Sequence, residues 1–169
     1  MGEKKNYVIA IIVEHKPGVL FKISNLFRRR CFNIESISAG TTKNKDFERI
    51  TITLNGDDGL VEQVIKQLNK LVEVIKVSVL DPKNTVAREI ALIKMSISTD
   101  QAQSKILSYT EIFKGRVVDV SHESVILEIT GSTEKINAFI DLMKLLGIKE
   151  IARTGVTALL RGENSIRID

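Results

Sequence analysis

The chain has 169 residues, of which 43% are hydrophobic and 27% charged, enough to bury a core in one domain or two small ones. Its net charge is only +4, and its single cysteine, Cys31, excludes an internal disulfide and a cysteine-based metal site within one chain. His15 and His122 lie far apart in the sequence, which argues against a zinc site. No apolar run is long enough to span a bilayer, and the N-terminus lacks a secretory signal pattern. We therefore expect a cytoplasmic protein.

The chain begins with a short apolar run, residues 7–13, which is typical of a strand buried on both faces. The amphipathic segment from Leu20 to Cys31 predicts a helix with Cys31 as a small buried thiol. Between them lies the loop Glu14-His15-Lys16-Pro17-Gly18-Val19-Leu20. Its glycine lets a ligand approach the backbone, and the first N–H groups of the helix favour an anion there. The loop is consistent with a small carboxylate site or with an ordinary tight turn.

The next elements complete a βαββαβ order. Strands at residues 33–42 and 48–55 are joined by a polar turn, and Asp57 or Asp58 can cap the helix that follows. A fourth strand covers residues 72–80.

The same order recurs after a linker at residues 81–84, although the sequence itself does not repeat. We predict a strand at 89–97, followed by a helix that Ser98 and Gln101 cap and that Gly115 ends. A hairpin follows, with strands at 116–121 and 124–130. The next helix begins after Gly131 and ends at Gly147, and a last strand covers 148–152 and resumes at 156–160. The chain is therefore predicted to be α+β, with two tandem ferredoxin-like units at residues 1–82 and 83–169.

The first strand also predicts a partner surface. A βαββαβ unit packs both helices on one sheet face, yet residues 8–13 carry no polar face. The second unit, a copy of the chain or a different protein must cover the other side, and we expect an oligomer.

Motifs for catalysis are missing from the sequence. There is no nucleophile elbow, Walker loop, dinucleotide fingerprint or pair of catalytic carboxylates, and His15 has no nucleophile or orienting acid at a suitable spacing.

The cluster Arg28-Arg29-Arg30 lies in the last turn of the predicted first helix, where cations complement the helix dipole. An amino-acid-responsive nucleic-acid-binding regulator that uses these arginines is the alternative function, and a free-standing enzyme is a second one.

Several collinear segments together resemble one family. They are residues 13–20, 26–36, 67–72, 88–94, 110–115 and 152–156. The first of these segments resembles the start of an ACT domain. The sequence Asn33-Ile34-Glu35-Ser36 narrows the resemblance to the small, regulatory subunit of acetolactate synthase, also called acetohydroxyacid synthase. The resemblance extends from about Tyr7 to Gly162, with residues 1–82 as the ACT domain and residues 83–169 as the subunit's C-terminal domain.

The resemblance implies a non-catalytic protein that binds a separate catalytic subunit. That subunit carries thiamine diphosphate, magnesium and FAD, so this chain is expected to hold no cofactor, no metal and no catalytic residue. The family raises the activity of its catalytic partner and confers feedback inhibition by branched-chain amino acids, usually valine, in their biosynthesis.

The resemblance also implies an effector site between the ACT domains of two copies. The residues that match it are His15, Gly18, Val19 and Leu20 on one copy, and Asn33 and Ile34 on the other. Backbone N–H groups near Gly18 are suited to a carboxylate, while the Asn33 side-chain oxygen and the Ile34 carbonyl accept from an ammonium group. Some family members carry Asn at the position of His15, and a protonated imidazole could not accept from an ammonium group.

Overall fold

The computed structural model describes residues 4–166. In chain order its elements are β1 (Lys5–Glu14), α1 (Val19–Arg29), β2 (Ser36–Thr41), β3 (Phe47–Gly56), α2 (Asp58–Leu68), β4 (Val74–Leu80), a 3₁₀ turn (Pro82–Asn84), β5 (Thr85–Ser96), α3 (Asp100–Ile112), β6 (Arg116–Val120), β7 (Ser124–Gly131), α4 (Thr133–Lys144), β8 (Ile148–Arg153) and β9 (Thr157–Leu160). The chain divides into two compact units. The first contains the chain up to Val86 together with the segment from Val156 onward, and the second is Ala87–Gly155.

The first unit is built on an antiparallel sheet with the strand order β2-β3-β1-β4. Strand β1 lies inside this sheet, so its backbone pairs on both sides. Alternate residues of β1 point at the two helices and form the core with them. The largest buried members are Ile9, Ile11, Ile23, Phe27, Ile50, Ile52, Leu54 and Leu68.

The other face of β1 is also buried, as its sequence predicts. Ala10 and Ile12 are 0% and 3% exposed, and Val156 and Ala158 of the C-terminal segment are 6% and 1% exposed. The cover on this face therefore includes a segment of the same chain. The oligomer inferred from this face stays a prediction, and the apolar sequence of β1 no longer requires one.

Hydrogen bonds fix the C-terminal segment on the sheet. Ser36 Oγ accepts from Val156 N at 3.3 Å, and Arg49 Nη2 donates to the Ala158 carbonyl at 2.7 Å. Arg161 N donates to Asn84 O at 2.7 Å, and β9 pairs with β5. The sequence analysis treats residues 156–160 as a continuation of the last strand, whereas the structure makes them a separate strand. The reason is tertiary, because the bonding partners lie more than a hundred residues away in the chain.

The second unit repeats the arrangement with the strand order β6-β7-β5-β8. Its core combines alternate residues of β5 and β7 with apolar residues of α3 and α4; the members include Ala91, Ile93, Met95, Ile106, Leu127, Ile136 and Phe139. A buried carboxylate lies in the same unit: Glu89 is 4% exposed and accepts from Nη2 of the exposed Arg153 at 2.5 Å and from Thr133 Oγ1. The two units confirm the predicted α+β class with tandem ferredoxin-like units.

The C-terminal ends of three helices differ from the sequence-based prediction. Helix α1 ends at Arg29, and Cys31 takes a left-handed φ of 54° that leaves it exposed. Phe32 returns to the core instead, with its ring 5.9 Å from that of Phe27, and its N–H bonds to the Phe27 carbonyl. This is a Schellman ending, in which the residue after the left-handed position makes the apolar contact. The predicted buried thiol at Cys31 is therefore wrong.

Helix α3 ends in the same way. Lys114, not Gly115, holds the left-handed φ of 54°, and Gly115 N bonds to Thr110 O at 2.7 Å. A Cβ on Gly115 would lie 3.0 Å from the Glu128 carbonyl oxygen, so the glycine is required there by close packing. The second predicted glycine ending is also displaced, because α4 ends at Lys144, before Gly147.

Only one of two neighbouring hydroxyl side chains caps the start of α3. The predicted capping box used Ser98 and Gln101, but Thr99 is the N-cap and its side chain accepts from Ala102 N at 3.1 Å. Of the two predicted alternatives for α2, Asp57 is the cap and accepts from Leu60 N at 2.9 Å; at α4, Ser132 accepts from Lys135 N at 3.3 Å.

We predict that Thr99→Ala lowers the free energy of unfolding by about 1 kcal/mol, because a helix N–H group loses its acceptor. Ser98→Ala is the matched control and should change it by less than about 0.5 kcal/mol. Urea unfolding of the full chain, followed by circular dichroism, measures both. A larger loss for Ser98→Ala would restore the capping box of the sequence analysis.

Candidate functional site

The loop after β1 is fixed at its start by the β2–β3 hairpin. His15 N donates to Asp46 O at 2.7 Å, and His15 Nδ1 lies 2.6 Å from Glu48 Oε1. A carboxylate accepts only, so with Glu48 ionised the ring donates from Nδ1. A neutral His15 then presents Nε2 as an acceptor, while its side chain is 52% exposed. The sequence analysis missed Glu48 and Asp46 as partners, because strand register alone brings them to the loop.

Gly18 is the N-cap of α1 and has a left-handed φ of 85°. A Cβ there would meet no atom within 4 Å. Space beside the backbone is therefore open, and the glycine is required by the backbone conformation alone. Both properties agree with a loop whose backbone faces a ligand.

The N-terminus of α1 is not capped by a side chain. Helices α2, α3 and α4 each have a side chain that accepts at the N-cap and an acidic residue in the first turn, whereas α1 has neither. The first N–H groups of a helix have no intrahelical acceptor and carry the positive end of its dipole. Of the helices in residues 4–166, α1 is thus the one whose N-terminus is left for an external anion.

Val19 and Leu20 follow Gly18 but face different surroundings. The side chain of Val19 is buried in the core, and its N–H makes a long hydrogen bond of 3.4 Å to the Lys16 carbonyl. Leu20 is 43% exposed and its neighbour Phe21 is 72% exposed. Phe21 was not among the residues selected from sequence.

Asn33 and Ile34 precede β2, which begins at Ser36 rather than at residue 33. The Asn33 side-chain nitrogen donates to Glu35 Oε1 at 2.9 Å, so its oxygen is the atom left to accept from a ligand. Ile34 is half-buried against the core. Within residues 4–166, no hydrogen bond or ion pair joins Asn33 or Ile34 to the predicted loop residues of the same chain. The structure therefore does not bring the two halves of the predicted site into polar contact within one chain.

Acidic residues beside the loop are paired with lysines. Glu73 pairs with Lys22, which lowers the pKa of the Glu73 carboxyl through their hydrogen bond. Glu14 lies 2.8 Å from Lys16 and raises the pKa of that lysine. These two carboxylates are therefore offset by neighbouring lysines, whereas Glu48 pairs with His15.

Other classes of site have less support in the described part of the chain. No group of three or more His, Cys, Asp and Glu side chains in residues 4–166 could hold a metal ion. No described helix is both long and apolar enough to cross a membrane. Arg28 and Arg29 lie in the last turn of α1, as predicted, and Arg30 donates to Gln67 Oε1 at 3.2 Å.

Comparison with known families matches both units. Residues 9–76 match a family model described as the AHAS small subunit-like ACT domain. Residues 88–162 match a model described as the small subunit of acetolactate synthase.

Individual relatives match over nearly the whole chain. The probable acetolactate synthase small subunit of Methanothermobacter thermautotrophicus is 48% identical over 97% of this chain and 98% of its own length. The corresponding protein of Archaeoglobus fulgidus is 53% identical over 92% and 97%. The crystal structure of the acetolactate synthase small subunit from Thermotoga maritima superposes with a TM-score of 0.87 at 44% identity, covering 95% of this chain and 99% of that one. The chain therefore belongs to the family of acetolactate synthase small subunits.

Proposed function

We propose that the chain activates the catalytic subunit of acetolactate synthase and makes it sensitive to a branched-chain amino acid, with valine as the first candidate. The observation that carries this proposal is the uncapped N-terminus of α1 at Gly18 in a member of this family. The proposed setting is the cytoplasm, and thiamine diphosphate, magnesium and FAD are assigned to the catalytic subunit. The chain itself is assigned no catalytic step.

The amino acid's carboxylate binds the backbone N–H groups at the start of α1, near Gly18, Val19 and Leu20. This assignment is supported by the missing cap and by the absence of an acidic residue in the first turn. The exposed side chains of Leu20 and Phe21 supply apolar surface for the aliphatic side chain. One methylene is worth only about 1–3 kcal/mol in such a cleft, so leucine and isoleucine are competitors of valine.

The ammonium group binds oxygen atoms of a second copy of the chain. Asn33 Oδ1 and the Ile34 carbonyl are the acceptors, and a neutral His15 adds Nε2 from the first copy. Support for a second copy comes from β2, which lies at the edge of the described sheet and directly follows these residues. The resulting site is complete only in a dimer.

A reconstituted assay tests the whole proposal. The catalytic subunit is purified alone and with this chain, and acetolactate formation from pyruvate is measured with and without valine. We expect higher activity with the chain and inhibition only in the complex. Activation without inhibition would reject the sensing role, while no activation and no co-purification would reject the regulatory role. Turnover by the isolated chain would support the enzyme alternative.

Calorimetry of the isolated chain tests sensing without the catalytic subunit. We predict saturable heat with at least one of valine, leucine and isoleucine, at one site per chain. The dimer is confirmed by sedimentation in the same buffer. No heat at millimolar ligand with the dimer present would exclude this loop as the effector site.

We predict that Gly18→Asp abolishes binding of the amino acid and leaves activation of the catalytic subunit intact, because a carboxylate there repels that of the effector. Gly18→Asn is the matched control. Asn tolerates a left-handed φ and has nearly the same shape without the charge, so it should retain sensing. Loss of sensing in both variants would assign the effect to the backbone and not to charge.

Mixed dimers test whether two copies share the site. Gly18→Asp and Asn33→Ala chains are co-expressed with different tags, and the heterodimer is isolated through both tags. If each site uses Gly18 of one copy and Asn33 of the other, the heterodimer has one intact site and one doubly altered site. We predict valine binding at about half the wild-type stoichiometry, although neither homodimer binds. A heterodimer without binding would place both residues in the site of a single chain.

A further inference from the structure

The first unit contains a cavity that the loop site does not use. It has a volume of about 940 Å³ and lies on the sheet face covered by the C-terminal segment. Ile12 of β1 and Leu159 and Leu160 at the end of β9 supply apolar walls, and Lys43 and Arg49 supply the cations. Its size is in the range of cavities that hold small organic ligands.

Arg49 is an incompletely paired cation in this cavity. Its Nη2 donates to the Ala158 carbonyl at 2.7 Å, but its Nε is buried and has no acceptor within residues 4–166. Burial also lowers the pKa of the Arg49 guanidinium, and no ion pair among residues 4–166 offsets that cost. In the second unit, by contrast, the guanidinium of Arg153 lies 2.5 Å from the Glu89 carboxylate. A half-buried arginine without a carboxylate is costly unless an anion binds it.

The charge around Arg49 is positive. Lys43 lines the same cavity, and no Asp or Glu does so within the described residues. The ligand is therefore an anion. An amino acid fits less well, because its ammonium group would lie beside the cations Lys43 and Arg49 with only neutral oxygens, such as those of the asparagines in the lining, to accept from it.

Space beside the backbone of β2 is open opposite Arg49. Gly40 lies opposite Arg49 in the β2–β3 register, so this position of β2 presents no side chain to that face. A Cβ on Gly40 would meet no atom within 4 Å. Its φ is not positive, so a larger side chain can be introduced there without backbone strain.

We propose that this cavity binds a medium-chain aliphatic carboxylate. The carboxylate group pairs with Arg49 and Lys43, and the chain packs on Ile12, Leu159 and Leu160. The site is separate from the loop at Gly18 and does not depend on the proposed function. Its ligand differs in chemistry from the effector, because the cavity sets two cationic side chains beside apolar walls, whereas the loop offers backbone N–H groups and oxygen acceptors.

Calorimetry with octanoate tests the proposal, with octanamide as the neutral analogue and butyrate as the short one. The full chain should bind one octanoate, and octanamide should bind about tenfold more weakly or not at all, since a charge-assisted hydrogen bond is lost. Butyrate should also bind more weakly because it buries less apolar surface. Equal affinity for octanoate and octanamide, or the absence of saturable binding, would overturn the proposal.

Variants locate the binding. Arg49→Met should lower the affinity for octanoate about tenfold or more. Arg28→Met is the matched control, because it removes an exposed arginine on α1, and it should leave the affinity unchanged.

Gly40→Leu tests the same site without removing Arg49. The new side chain lies opposite Arg49 and should block octanoate while Arg49 still donates to the Ala158 carbonyl. The test therefore stays decisive if Arg49→Met does not fold. Octanoate binding that survives Gly40→Leu would overturn the proposal. Gly18→Asp should bind octanoate normally, so failure of the loop site and failure of this site are distinguishable.

Discussion

Burial of β1 on both faces is the constraint on which the first unit depends. A strand without a polar side has to be covered twice, and the chain meets this need with helices on one face and with its own C-terminal segment on the other. The second cover has consequences for nearby residues. It occupies the Ser36 hydroxyl and Arg49 Nη2, and it walls the cavity with Leu159 and Leu160. Because β1 is apolar on both faces, the C-terminal segment covers its second face, and this segment forms part of the surface on which we propose that a further ligand binds.

The effector site proposed at Gly18 combines a small loss of local stability with recognition. An N-cap side chain contributes about 1 kcal/mol to a helix, and the other described helices have one. Helix α1 lacks it and is held instead by its apolar face, including Ile23 and Phe27. Because the core fixes the helix, its first turn does not need a cap to form. A bound carboxylate then supplies the missing acceptors, which makes occupancy and helix stability linked quantities.

Sequence reasoning reached those features that local patterns encode. The order of strands and helices, the cap at Asp57 and the arginines of the last turn of α1 follow from periodicity, capping preferences and the helix dipole. It did not reach features decided by residues distant in the chain. The exposed Cys31 depends on Phe32 packing against Phe27, the pairing of His15 with Glu48 depends on strand register, and residues 157–160 depend on Ser36 and Arg49. Of the candidate site, the loop and its glycine were predictable, whereas the partners that orient His15 were not.

The two proposed sites of the first unit also separate ligands by charge pattern. The loop combines backbone N–H groups, which suit a carboxylate, with neutral oxygen acceptors at Asn33 and Ile34, so it is complementary to a zwitterion. The cavity has Arg49 and Lys43 without a carboxylate among its described lining residues, so it is complementary to an anion with an apolar body. A zwitterion placed in the cavity leaves its ammonium group desolvated beside cations, and a fatty carboxylate placed in the loop leaves the oxygen acceptors unpaired. In both cases a polar group loses water without gaining a hydrogen-bond partner. This uncompensated free-energy cost is what makes polar sites selective.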